Sequence, residues 1–204
     1  MPMLIGICGS GSGSGKTTLA EELLKSLTGG PSFSSWGAIK FTKTSVYTSV
    51  VTDPNVLLRE GKDTARMLGA GARAAAWVQS PGGEDLGEAL SMAMENLKSG
   101  LKSQASEEGR PLEGIIVEGN SAVELLKPDI VIFMCGPSFK EGSEAFLFTA
   151  DVVCSFARGP RHKAFADRKK GKKTKCCGDI KTCVSQVLML ISNHSGFPCQ
   201  KGQA

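Results

Sequence analysis

The chain has 204 residues, enough to bury a substantial core in one domain of ordinary size, and its 41% apolar and 22% charged composition is that of a globular protein rather than a fibrous or disordered one. No apolar run reaches the length of a membrane span, and the N-terminus passes at once into a strand and a functional loop, so neither a membrane anchor nor a signal peptide is expected and the expected location is cytoplasmic. The net charge of +4 is unevenly spread: Arg158 to Lys175 carries nine Lys or Arg against Asp167 alone, which leaves the remainder mildly acidic.

The first predicted element is the apolar run Leu4-Ile5-Gly6-Ile7-Cys8, short enough for a buried strand. It meets the loop Gly9-Ser10-Gly11-Ser12-Gly13-Ser14-Gly15 and then Lys16-Thr17-Thr18, which opens the helical pattern Leu19-Ala20-Glu21-Glu22-Leu23-Leu24. Strand, Gly/Ser loop and Lys-Thr helix start are the setting of a Walker A phosphate-binding loop. Glycines let the backbone curl so that successive N–H groups face phosphate oxygens, and the helix N-terminus adds partial positive charge. Gly11, Ser12, Gly13, Ser14, Gly15 and Thr18 would cradle a nucleotide polyphosphate, Lys16 would reach its terminal phosphates, and the Thr17 hydroxyl would ligate Mg²⁺. The register departs from the usual G-x-x-x-x-G-K-[ST]: Ser10 stands where the first glycine belongs, and Gly9 comes one residue early.

A turn-rich stretch from Gly29 to Ser35 leads to a second strand at Trp36–Phe41, and residues 42 to 54 read as a Thr-, Ser- and Lys-rich loop. In an open α/β sheet the crevice beyond the strand ends holds the ligand, which places Lys40, Lys43 and Thr44 near it unless the loop is simply solvated. Leu57 to Leu68 is helix-compatible, with Gly61 weakening its middle. Asp63 and Arg66 share a face there, either as a surface ion pair or as functional groups beside Lys62. A strand is expected at Ala74–Gln79. The stripe Leu86, Leu90, Met94, Leu97 and Leu101 predicts a helix covering the sheet, with its methionines as core filler.

The run Gly114-Ile115-Ile116-Val117 ends in the carboxylate Glu118, the form of a Walker B strand aimed at Mg²⁺ or its water. Further strands are expected over residues 129–135 and 150–154. Alternating strands and helices argue for an α/β fold of P-loop NTPase type, a three-layer sandwich around a mainly parallel sheet.

Taken together, Ile39-Lys40, Gly61-Lys62-Asp63-Thr64-Ala65-Arg66 before Ala70-Gly71-Ala72, and Val117-Glu118-Gly119 resemble the molybdopterin-guanine dinucleotide biosynthesis protein B family over residues 3 to 156. The resemblance implies a small, usually dimeric GTP-binding protein of weak hydrolytic activity that helps attach a nucleotide to molybdopterin alongside a partner transferase. It places Lys40, Lys62, Asp63 and Arg66 in the cleft, with Glu118 on the metal side. The histidines that this family carries after the second strand are replaced by Phe41-Thr42-Lys43-Thr44-Ser45, and the C-terminal quarter has no counterpart.

Residues 1–157 are therefore read as the nucleotide-binding domain and 158–204 as a basic, Cys-rich extension ending in a helix near Ile180–Ile191. The basic stretch is a solvated segment, a docking site for an acidic partner or a polyphosphate cofactor, or, with little aromatic interleaving, a weaker candidate for nucleic acid. Of the seven cysteines, Cys8, Cys135 and Cys154 lie in strand-like runs and are expected in the core. Cys176, Cys177, Cys183 and Cys199 are either free thiols or a zinc or iron–sulfur site that lacks the usual C-x-x-C spacing.

The expected activity is Mg²⁺-dependent binding and slow hydrolysis of GTP or ATP, with Lys16 and Glu118 as the catalytic pair. The alternatives are a small-molecule kinase of the uridine-kinase type and a nucleotide-dependent adaptor without turnover. No Asn-Lys-x-Asp guanine signature is present to decide the base.

Overall fold

The computed structural model describes residues 1–29, 35–59, 61–103, 111–155 and 175–195. Eight strands among them form one sheet: β1 (Met3–Gly9), β2 (Trp36–Lys43), β3 (Ser49–Val51), β4 (Ala74–Ser80), β5 (Gly114–Glu118), β6 (Ile130–Cys135), β7 (Val152–Ser155) and β8 (Lys175–Cys177). Their spatial order is β3-β4-β2-β5-β1-β6-β7-β8, and every described pairing is parallel except β3 on β4.

The helices divide between the two faces. On one face, α1 (Lys16–Thr28), α3 (Asp63–Gly69) and α7 (Ile180–Ser195) pack over Ile5, Ile7, Ala38, Ile116, Ile132 and Cys154. On the other, α4 (Glu84–Ser103), α5 (Asn120–Leu126) and α6 (Ala145–Thr149) cover Ile39, Val78, Ile115, Val117 and Phe133. Side chains alternate across a strand, so Ile115 and Val117 serve one layer while Ile116 serves the other. Both layers need apolar cover, which is why β1, β5 and β6 read as continuous hydrophobic runs. The fold is the three-layer α/β sandwich of P-loop NTPase type.

Several boundaries differ from the sequence reading. The stretch read as a loop from residue 42 contains β3, whose pairing with β4 is a non-local contact that three residues cannot announce. The single helix expected at 57–68 is two pieces, the short α2 (Pro54–Leu57) and α3, separated by a turn in which Gly61 adopts φ 80°. The α4 stripe is as expected at Leu86, Leu90 and Leu97, which are buried, with Met94 packed at their margin. Helix α5 and strand β8 were not anticipated. Both β8 and α7 lie within the sheet and its helical layer, beyond residue 158. Most of the basic stretch, residues 158–174, lies outside the described residues. No described helix is long and apolar enough to cross a membrane.

The cysteines follow the same core. Cys8, Cys154, Cys177 and Cys183 are buried and Cys135 is half-buried. Among the described residues no group of three or more His, Cys, Asp or Glu is arranged to hold a metal ion. The zinc or iron–sulfur site considered for Cys176, Cys177, Cys183 and Cys199 therefore finds no support there. Cys177 and Cys183 are committed to apolar packing, the free Cys183 thiol donating a hydrogen bond to that of Cys154, and Cys199 lies outside the described residues.

Candidate phosphate-binding site

The site is built where β1 ends and α1 begins. Loop residues 10–15 turn through Gly13 (φ 69°) and Gly15 (φ 86°), left-handed conformations that favour glycine. Gly15 is the N-cap of α1, without a side-chain cap, and the first turn of the helix carries no acid, so nothing on the helix itself opposes an anion at its N-terminus.

The irregular register at Ser10 has a local explanation. Ser10 is fully buried; its N–H donates to Met134 O (3.0 Å), its carbonyl accepts from Lys140 N–H (2.6 Å), and its Oγ accepts from Gly136 N–H (2.8 Å). The hydroxyl thus ties the loop to the segment following β6, a bond that glycine at this position would forfeit. We expect Ser10→Gly, although it makes the motif regular, to cost about 2 kcal/mol through the lost hydrogen bond to the half-buried Gly136 N–H and added backbone freedom. Thermal unfolding would show a Tm lower by about 4–8 °C; an unchanged Tm would refute this assignment.

A cleft of about 360 Å³ is lined by residues 12–18 together with Lys40, Asp63, Arg66 and Glu118. Lys40 and Glu118 are register partners on adjacent strands β2 and β5, on the α1 face, so their meeting follows from strand order and side-chain alternation. Lys40 Nζ lies 2.5 Å from Glu118 Oε1 and 2.7 Å from Asp63 Oδ2. The Thr17 hydroxyl donates to Glu118 Oε2 at 2.9 Å. Glu118 is only 1% exposed, and a carboxylate so buried is held by partners on both of its oxygens.

Electrostatics favour the charged forms of Lys40 and Asp63. Burial works against the Lys40 ammonium, but Glu118 and Asp63 over-compensate and hold its pKa above the ordinary lysine value. Burial also pushes the Asp63 carboxyl up, yet Lys40, the Thr17 hydroxyl and Arg66 together hold it below the usual range. Lys16 behaves oppositely: burial lowers its pKa, Glu118 opposes, and Lys40 and Lys140 add to the lowering. Its Nζ donates to Gly11 O (2.7 Å) and Ser14 Oγ (3.1 Å).

Of the residues singled out from sequence, the cleft brings together Ser12 to Thr18, Lys40, Asp63, Arg66 and Glu118. Gly11 sits behind it and accepts from Lys16 and Ser14. Lys62 does not line the cleft: its ammonium stacks 3.8 Å from the centre of the Trp77 ring. Arg66 is only distantly paired with Asp63 (3.9 Å) and is engaged more closely by Glu21. Two participants escaped sequence reasoning. Glu21 left no signal, being one acid among several on a surface helix. Asn120 follows the Val117-Glu118-Gly119 strand end directly, and that adjacency was the available clue.

Fold and cleft together define a P-loop NTPase-type α/β protein. No protein-family model and no curated protein matches the chain. Among solved structures it is similar to HypB from Helicobacter pylori, crystallised in complex with nickel, with a TM-score of 0.57 and 15% identity over 99% of this chain and 92% of that one. At this identity the likeness is one of fold.

Proposed function

We propose that this chain binds a magnesium complex of a purine nucleoside triphosphate, GTP in preference to ATP, and hydrolyses it slowly. One observation carries the reading: the Lys16 ammonium, the Thr17 hydroxyl and the buried Glu118 carboxylate line one cleft at the N-terminus of α1. Thr17, Glu118 and Asp63 offer only oxygen donors, the set a hard cation prefers, so Mg²⁺ fits here with Thr17 and Glu118 as its holders. When bound, that ion would neutralise charge on the terminal phosphates. Lys16 binds the terminal phosphates, the loop amides orient them, and Glu118 fixes Thr17. Arg66 is occupied by Glu21, which leaves the described cleft without an uncommitted arginine and accounts for slow turnover.

The sequence resemblance supports a finer reading: a cytoplasmic, homodimeric accessory in molybdopterin-guanine dinucleotide assembly, working beside a transferase or a molybdoenzyme. Calorimetry with GTP and ATP, with Mg²⁺ and with chelator, tests the first level, and phosphate release separates hydrolysis from transfer to an acceptor. Molybdoenzyme activity after deletion of the gene tests the second level, and unchanged activity would remove the cofactor-assembly role.

A pH profile follows from Lys16. Only the ammonium form pairs with phosphate, and burial lowers its pKa. Nucleotide affinity is therefore expected to hold through neutral pH and to fall on the alkaline side before the ordinary lysine value of about 10.4. Lys16→Arg, whose guanidinium keeps its proton, should flatten that limb; identical profiles would rule Lys16 out as the titrating group.

A further inference from the structure

Two residues after Glu118, Asn120 opens α5 and turns its side-chain amide onto the last residue of β1, immediately before the loop. Gly9 N–H donates to Asn120 Oδ1 and Asn120 Nδ2 donates to Gly9 O, both at 2.9 Å. Both polar groups of one peptide residue are thus held by one side chain. Glu118, meanwhile, takes the hydroxyl of Thr17 at the far end of the loop. Three consecutive residues, Glu118, Gly119 and Asn120, therefore grip both ends of the span from Gly9 to Thr17.

That grip is rigid for a steric reason. Gly119 adopts φ 135°, and a Cβ there would come within 2.9 Å of the Phe41 Cβ, so the backbone that carries both side chains is wedged against β2. Its N–H is further fixed by Ile7 O at 3.0 Å. The loop it holds is the opposite in character. Gly9, Gly11, Gly13 and Gly15 alternate with serines, a composition with little intrinsic stiffness. Amides in such a loop point at a ligand only if its ends are set from outside, and the entropy of ordering them otherwise detracts from binding.

We propose that Asn120 is a positioning residue for the nucleotide phosphates: by fixing the Gly9 peptide it sets the direction of the amides that follow, acting through the loop rather than by touching ligand. This inference rests on the nucleotide-binding reading above. A purely structural role would lower the melting temperature and leave affinity untouched well below the melt. A positioning role separates the two, and it acts at the phosphate end of the ligand.

The test is calorimetry of full-length wild type and Asn120→Ala with Mg²⁺–GTP and with inorganic triphosphate, at a temperature where melting curves show both proteins folded. The expected result is a Kd about tenfold higher for both ligands in the variant. Asn120→Gln keeps both hydrogen-bonding groups but displaces them by one methylene. It should show the same loss in smaller measure, and it is the variant to read if Asn120→Ala does not fold. Affinity within twofold of wild type, or a loss for GTP that spares inorganic triphosphate, overturns the inference while the nucleotide reading stands. Wild type that binds neither ligand sinks both.

Discussion

Lys16→Ala is expected to weaken Mg²⁺–nucleotide binding by between about tenfold and a hundredfold, the equivalent of about 1.5–3 kcal/mol for one charged hydrogen-bonding group. Lys16 is the first residue of α1, and its Nζ reaches back over the loop to Gly11 O and Ser14 Oγ, which places the ammonium against the backbone that would surround a phosphate tail. Burial already disfavours that charge, so the pocket retains a cation whose pairing the protein itself leaves incomplete. A phosphate supplies the missing partner. Turnover should fall further than affinity, by about a hundredfold or more, because charge on the transferred group grows as the bond to the leaving phosphate loosens. Titration calorimetry and single-turnover phosphate release measure the two effects separately. The fold should be unaffected, since the two bonds lost are made to the loop alone. Binding equal to wild type would show that the cleft is not the nucleotide site.

The second large effect concerns Glu118. Glu118→Ala removes a 1% exposed carboxylate that receives both Lys40 and Thr17, leaving a Lys40 side chain only 16% exposed with Asp63 as its remaining acid. Breaking a buried pair on one side costs about 3–5 kcal/mol when the other charge is left uncompensated; Asp63 still pairs with Lys40 at 2.7 Å, so a smaller loss of about 2–3 kcal/mol is expected. Denaturant unfolding would register it as a lower midpoint. Glu118→Gln conserves volume and keeps a carbonyl acceptor, so it should recover much of the stability while losing the Mg²⁺ dependence of binding. The double replacement Lys40→Met with Glu118→Gln should be more stable than Glu118→Ala, because it leaves no under-paired buried ammonium and fills the space of the lost carboxylate, while Asp63, which loses Lys40, is half-buried and reaches water. If Glu118→Ala unfolds at the wild-type midpoint, the buried network does not hold the strand ends together as described.

The pairing of Lys40 with Glu118 also marks where sequence reasoning succeeded and where it had to stop. Glu118 is legible as the end of an apolar strand and Lys40 as a charge late in another, on the side where a parallel sheet exposes its ligand crevice. That they meet depends on β2 and β5 being neighbours, although β3 and β4 separate them in the chain. Neighbours in a parallel sheet are chosen by how crossover helices pack, information spread over the whole core rather than held in either strand. Lys62 illustrates the converse. It stands beside Asp63 in the motif, yet one residue of difference in orientation sends its ammonium to Trp77 instead of the cleft.

By itself the amino-acid order determined the Gly/Ser loop between β1 and α1, the α/β alternation, the strand carrying Glu118 and the apolar face of α4, because each is a local pattern with a period or spacing that physics imposes on a short stretch. Only the tertiary structure decided the rest: the strand order that joins Lys40 to Glu118, the antiparallel β3, the anchoring of Ser10 to Gly136, and the hold of Asn120 on Gly9 across 111 residues of chain. Those contacts join residues distant in sequence, and their energies are realised only after the sheet has closed the intervening loops. No window along the chain contains both partners, and so none could reveal them.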